Sequence, residues 1–383
     1  MPDDQSLRFA NARIVTRDSV REGDLDVAGG RIGAPAGAPG AAAGPVEDLQ
    51  GDFLLPGLVE LHTDHLERHY LPRPKVRWNA LAAVLAHDAQ IAGAGITTVF
   101  DALRVGGDAD SDIPQEGVLL ADAIGRAGAG DMLRADHLVH LRCEVSSADA
   151  QEGFDRLKDR PEVRLVSVMD HTPGQRQFVS MDAYRTYYMG KTGMSAAELD
   201  VYIGRRQEQH RRYAVPHRRF IVAEAARRGI ALASHDDATE AHVDEAVADG
   251  AAIAEFPTTM AAAMAARRAG LKVLMGAPNV VLGGSHSGNI AATALAAEGL
   301  LDILSSDYVP CSLLQAVFLL PEAVPGMDLA AAVRAVSLNP AAAAGLTDRG
   351  EIAEGRRADL VRVRLCDGHP VVRGVWREGR RVA

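Results

Sequence analysis

The pair His62–Asp64 closes the apolar run LPGLVELHTD as an H-x-D motif. Successive side chains of a strand point to opposite faces, so residues i and i+2 share a side and can share one metal ion. Other polar groups close apolar runs in the same way: Asp101 in TTVFDAL, Glu144 in HLVHLRCEV and His171 in VRLVSVMDH. His235 with Asp236 and Asp237 does so in ALASHDD, and Asp307 in LDILSSD. Any one of these alone reads more simply as a cap or a satisfied core group, and a surface turn is the plain alternative for His62–Asp64. Together they form an imidazole and carboxylate donor set suited to Zn²⁺, Mn²⁺ or Fe²⁺ rather than to Mg²⁺ alone. Two such ions about 3.5–4 Å apart lower the pKa of a shared water and steady the attacking oxygen. A carboxylate beside that water takes its proton and later returns it. Asp307 is the candidate for that task. Glu144 ends a run otherwise fit for burial, where a carboxylate is costly unless it is paired or holds a metal.

A second group of residues suits an anion. GGSHSGN (283–289) offers Gly283, Gly284, Ser285, His286 and Ser287, a loop whose backbone N–H groups and hydroxyls can approach phosphate oxygens. Arg176 follows His171 in GQRQ, and RPKVR (73–77) adds three cations. The guanidinium fork matches phosphate in a bidentate manner, although solvated loop charges explain RPKVR equally well. Tyr184, Tyr187 and Tyr188 are positioned either to close over a sugar or simply to pack. His65, His69 and His87, near the predicted mouth or on the first helix, receive no ligand role.

These residues need elements to hold them. Eight apolar runs read as strands: 58–64, 97–103, 137–145, 163–171, 231–237, 252–259, 271–278 and 301–307, with Ala-rich helical stretches separating nearly all of them. This alternation predicts an α/β fold of the (β/α)₈ barrel type, with chemistry at the carboxyl ends of the strands. A doubly wound sheet is the rival, but the Gly-rich turn that a dinucleotide fold carries after its first strand is missing. Both chain ends read as short strands. The expected domains are therefore a small β-sandwich of residues 1–55 plus 346–383 and a metallohydrolase barrel of 56–345. The Gly/Ala/Pro segment 33–45 reads as a loop. Residues 172–220 exceed a simple βα connection and suggest either a lid or a subunit contact, the second of which would make a homo-oligomer.

Composition narrows the partners. Hydrophobic residues make up 47% and charged residues 24% of 383, which provides a large core and excludes bulk disorder. Lys+Arg 41 against Asp+Glu 51 gives −10, which argues against nucleic acid as a partner but not against a small anion. Cys143, Cys311 and Cys366 form no CxxC pair, so neither a disulfide framework nor a cysteine–zinc site is expected. No apolar run approaches the roughly 20 residues that span a bilayer, and MPDDQSLRF lacks the character of a signal peptide. A soluble, cytoplasmic protein with no membrane partner is the expectation.

LPGLVELHTD, Glu144, His171, His235, LSSD and the tail LNPAAAAGL…G-x-I-x-x-G-x-x-ADLV together resemble the amidohydrolase superfamily. A finer resemblance runs from about residue 7 to 380 and is to the ribose-triphosphate diphosphatases of the carbon–phosphorus lyase pathway. It is carried by LHTDHLERHYLPRP, HDAQIAGAGITTVFDALRVG, HLRCEV, MDHTPGQRQF, SHDDAT, EFPTT, MGAPNVVLGGSHSGN and LDILSSDYVP. What the resemblance implies is a (β/α)₈ metal-dependent hydrolase with a β-sandwich built from both chain ends. The implied reaction converts a phosphorylated ribose substrate, α-D-ribose 1-methylphosphonate 5-triphosphate, to the 5-phosphate and diphosphate in phosphonate use. Metal-bound hydroxide would attack the α-phosphorus. In those terms His62, Asp64 and Asp307 hold one divalent ion, His171 and His235 a second, and Glu144 bridges, with zinc expected first and manganese or iron as alternatives. A carboxylated lysine often bridges in such barrels, but none of Lys75, Lys158, Lys191 and Lys272 ends a predicted strand. His65 departs from an expected Asn, and Leu282 from an expected Arg. The alternatives are an amidohydrolase that cleaves the C–N bond of a cyclic amide, deaminase or deacetylase substrate at the same metal site, and a catalytically dead scaffold. The Arg, Gly and Ser loops favour phosphate over the first, and the complete ligand set disfavours the second.

Overall fold

A computed structural model of the chain describes residues 6–33, 44–107, 113–176, 181–285 and 288–383. The expected loop 33–45 lies largely outside them. Strands β1 (Leu7–Val15), β2 (Val20–Ala28), β3 (Arg31–Ile32), β4 (Val46–Asp48) and β5 (Phe53–Pro56) open the chain. Eight strands follow at the predicted places: β6 (Leu58–Thr63), β7 (Ile96–Val105), β8 (Asp136–Glu144), β9 (Val163–Met169), β10 (Ala231–His235), β11 (Ile253–Glu255), β12 (Lys272–Gly276) and β13 (Ile303–Ser305). β14 (Leu360–Cys366), β15 (His369–Arg377) and β16 (Arg380–Arg381) end the chain.

β6 to β13 form one parallel sheet in chain order, and a parallel bridge between Thr63 and Asp307 joins its last strand to its first. This is the (β/α)₈ barrel topology. Parallel strands are covered on both faces, so they read as nearly unbroken apolar runs. β6 is buried at every position, His62 included. Glu144 and His235 end the third and fifth of these strands, as the spacing of apolar runs predicts.

The two chain ends meet in a second, mostly antiparallel sheet of order β16-β15-β14-β5-β1-β2-β3, with β4 beside β1. β14 pairs with β5 from Leu360↔Pro56 to Val363↔Phe53. Phe9, Leu25, Val27, Leu49, Leu360 and Trp376 fill its core, and the ring of Phe9 meets Trp376 edge-on at 4.8 Å.

The chain forms two compact units. One comprises Met1–Asp101, Ala123–Leu138 and Met275–Ala383, and the other Ala102–Asp122 and Val139–Leu274. In the second unit, residues 172–220 supply the helix Met181–Thr192 and most of the helix Ala196–Arg228. A capping box of Ser195 and Glu198 starts the long helix, and Gly229, at φ 64°, ends it in the left-handed conformation that glycine adopts without strain. Tyr184 is fully buried against Leu199 and Ile203 and stacks on Tyr188 at 4.2 Å, which is packing. The Tyr187 side chain lies outside the described structure. Among the described residues no helix is long and apolar enough to cross a membrane.

Candidate metal centre

Glu144, the last residue of β8, gathers four donors. His171 gives it both its backbone N–H (3.1 Å to Oε1) and its Nδ1–H (2.6 Å to Oε2). The hydroxyl of Ser146 donates at 2.6 Å, and Arg206 Nη2 donates at 3.2 Å. Burial pushes the Glu144 carboxyl up, but His171 and Arg206 outweigh that and hold it below its ordinary value. Burial likewise pushes His171 down, while Glu144 and Asp236 raise it to about 9.

With Nδ1 committed to Glu144, His171 turns Nε2 towards Asp236 Oδ2, 3.7 Å away. His235 Nε2 lies 3.6 Å from the same oxygen, and its Nδ1 is 3.1 Å from Glu255 Oε2. Asp236 Oδ2 is buried with no hydrogen-bond partner. An ionised oxygen left so is costly unless a cation completes it. One nitrogen of each imidazole and one oxygen of Asp236 lie within 4.8 Å of one another, a donor set that fits a zinc-like ion. Asp236 follows its strand at φ 57°, Phe256 at 52° and Asp307 at 55°. Left-handed backbone at residues other than glycine costs on the order of 1–3 kcal/mol and concentrates at functional sites.

In the other unit, the backbone sets His62, Asp64 and Asp307 side by side. Asp307 N–H donates to the His62 carbonyl and Asp64 N–H to the Asp307 carbonyl, both at 3.1 Å. Glu60 locks this junction by accepting from the backbone N–H of His62 (2.6 Å) and of Ser306 (2.5 Å). Burial pushes the Glu60 carboxyl up to about 7.

The expected anion donors fare differently. Arg176 is buried, with Nη1 on Asp237 and Nη2 on Glu245 at 2.6 Å, so its fork serves the fold instead of a phosphate. The N–H groups of Gly283 and Gly284, expected to face phosphate, return to the carbonyls of Val280 and Asn279 at 3.2 and 2.9 Å. They close the helix Ala277–Val281, as the last turn of a helix requires. Ser285 is described, whereas His286 and Ser287 lie outside the described residues. Arg73, Lys75 and Arg77 are exposed.

Sequence reasoning missed Arg206, Glu60 and Glu255 as partners of the candidate ligands. Glu255 ends a strand and could have been found by the same rule as Glu144. Arg206 sits inside a helix and carries no such signal. A further network joins His87 Nε2 to Asp101 Oδ1 at 2.8 Å and Asp101 Oδ2 to His137 Nδ1 at 2.7 Å, all fully buried at the side chain.

An amidohydrolase family profile matches residues 210–382. The chain is 46% identical over 374 residues to the α-D-ribose 1-methylphosphonate 5-triphosphate diphosphatase of Escherichia coli, a match covering 97% of this chain and 99% of that protein. Among solved structures it resembles N-acetyl-D-glucosamine-6-phosphate deacetylase from Mycobacterium smegmatis, at TM-score 0.64 and 17% identity over 99% of this chain and 100% of that one. It also resembles N-isopropylammelide isopropylaminohydrolase from Burkholderia multivorans, at TM-score 0.65 and 18% identity over 98% of each chain. These distant likenesses speak to the fold.

Proposed function

The chain belongs to the amidohydrolase family of hydrolases, and from that premise we propose that it hydrolyses α-D-ribose 1-methylphosphonate 5-triphosphate to the 5-phosphate and diphosphate in phosphonate breakdown. The observation that carries the reading is the end-to-end likeness to the Escherichia coli diphosphatase.

His62, Asp64 and Asp307 would hold one divalent ion, His171 and His235 a second, and Glu144 would bridge, with zinc as the first candidate. Bound there, such ions supply acidity to water and neutralise phosphate charge. The buried, unpartnered Oδ2 of Asp236 beside both imidazoles supports a cation in the second set and suggests Asp236 as an added ligand. Water attacks the α-phosphorus and Asp307 takes its proton at a carboxylate oxygen. The α–β anhydride bond breaks, and its electron pair leaves on diphosphate. Glu60 and the backbone bonds between His62, Asp64 and Asp307 keep the base in place. Arg206 and His171 hold Glu144 ionised. Ser285, with His286 and Ser287, remains the candidate anion contact.

Phosphorus NMR of the metal-loaded protein with this triphosphate tests the proposal. Diphosphate and the 5-monophosphate growing in equal amounts is the expected result. Orthophosphate would mean terminal cleavage. No turnover by protein with metal bound would sink the reading and favour C–N hydrolysis.

A further inference from the structure

Three imidazoles outside the ligand set proposed above converge in one unit. His65, the N-cap of the short helix Leu66–Tyr70, and His69, in its last turn, stand four residues apart and so share a face. His87, on the helix Ala80–Gly93, comes up beside them. Ring centroids are 5.0 Å apart for His65–His69, 5.5 Å for His65–His87 and 5.9 Å for His69–His87. One nitrogen of each ring lies within 4.8 Å of the other two.

We propose that His65, His69 and His87 form a binding site for a divalent transition-metal ion, zinc foremost, independent of the reaction proposed above. The bite distance fits. His65 Nδ1 and His87 Nδ1 are 3.3 Å apart, and two nitrogens on one tetrahedral zinc at about 2.0–2.1 Å stand about 3.3 Å apart. His69 Nε2 is buried and makes no hydrogen bond, so a lone pair or proton there lacks a partner that an ion would supply or displace.

The surroundings of His87 are those of a metal ligand. An ionised carboxylate only accepts, so the 2.8 Å contact with Asp101 Oδ1 places the proton of the neutral His87 ring on Nε2 and leaves the lone pair on Nδ1, towards His65. Asp101 is itself steadied through its other oxygen by His137 at 2.7 Å. A carboxylate on the far nitrogen fixes the tautomer of a ligating imidazole and raises its basicity. Three protein nitrogens leave a fourth position for water or an anion. Borderline imidazole donors favour zinc, cobalt or nickel over calcium or magnesium.

The test counts metal in the full chain, stripped with chelator and titrated with Zn²⁺ or Co²⁺. His69→Gln, at a partly exposed position, and His65→Asn are the variants, each checked for folding by circular dichroism. A His62→Gln/His171→Gln/His235→Gln background removes the imidazoles of both ion sets proposed above. One equivalent per chain should persist in that background and bind at least about tenfold more weakly once His69→Gln is added. The visible Co²⁺ spectrum of nitrogen-bound ion should fade with it. Folded His69→Gln and His65→Asn proteins with wild-type stoichiometry, affinity and spectrum would overturn the proposal. So would a folded His62→Gln/His171→Gln/His235→Gln protein that binds no ion. Neither result depends on turnover, so the proposed reaction can fail without touching this site.

Discussion

Arg206 reaches Glu144 across 62 residues of chain, its Nη2 3.2 Å from Oε1, and the same nitrogen donates to Ser146 Oγ at 2.9 Å. The side chain of Arg206 is 7% exposed and that of Glu144 11%, so neither charge has ready solvent to fall back on. Arg206→Met should therefore cost about 1.5–3 kcal/mol, the range for hydrogen bonds to charged groups, because His171 still compensates Glu144. Urea denaturation measures this. A change below about 0.5 kcal/mol, the size of an ordinary surface substitution, would show the contact to be incidental.

Asp307→Asn should fold normally and lose activity by about 10²–10⁴-fold, the usual contribution of a positioned base. Its backbone bonds to His62 and Asp64 do not involve the side chain, so the junction should survive. Phosphorus NMR gives the rate and thermal unfolding the control. Turnover within a few-fold of wild type would remove Asp307 from the reaction.

Arg176→Met should act on stability first. The Arg176 and Asp237 side chains are 4% and 1% exposed, so the substitution strands a buried carboxylate at a cost of about 3–5 kcal/mol. If the midpoint of unfolding stays put while KM for the triphosphate rises, Arg176 works on substrate after all.

Stability should fall as pH rises from about 6.5 towards 9. Burial pushes His137 down, but Asp101 and Asp88 outweigh this and raise it to about 9 in the fold. A histidine whose folded pKa exceeds its unfolded value adds stability that is complete below the unfolded pKa and gone above the folded one. Asp101 moves the opposite way: burial raises it, His137 and His87 lower it further, and its contribution is lost in acid. Unfolding across a pH series should show a steeper alkaline slope in wild type than in His137→Gln, where the raised His171 still contributes. Equal slopes in the two proteins would place the effect elsewhere.

Every barrel strand was legible because its signal is local. An apolar run such as ALASH announces a buried parallel strand wherever it occurs, and a polar residue at its end marks the mouth. Glu144, His171, His235 and Asp307 stood out for that reason. The pairing of β14 with β5 was legible only as similar texture at both chain ends, since register depends on which edges meet.

Partnerships were not legible. Arg176 and a Gly-rich loop look like phosphate donors by residue type, and nothing local says that Asp237 and Glu245 claim the first while a helix end claims the N–H groups of Gly283 and Gly284. His65, His69 and His87 show the same divide. The turn spacing of the first two is in the sequence, but the arrival of His87 with Asp101 behind it required two helices and a strand to pack. The sequence by itself determined which elements form and which residue types reach their ends, because backbone preference and burial act over a few residues. Tertiary structure alone decided which donors are spent on the protein and which remain for a ligand. A side chain's charge is satisfied by whatever the fold brings within about 3 Å, however far away it lies in the chain.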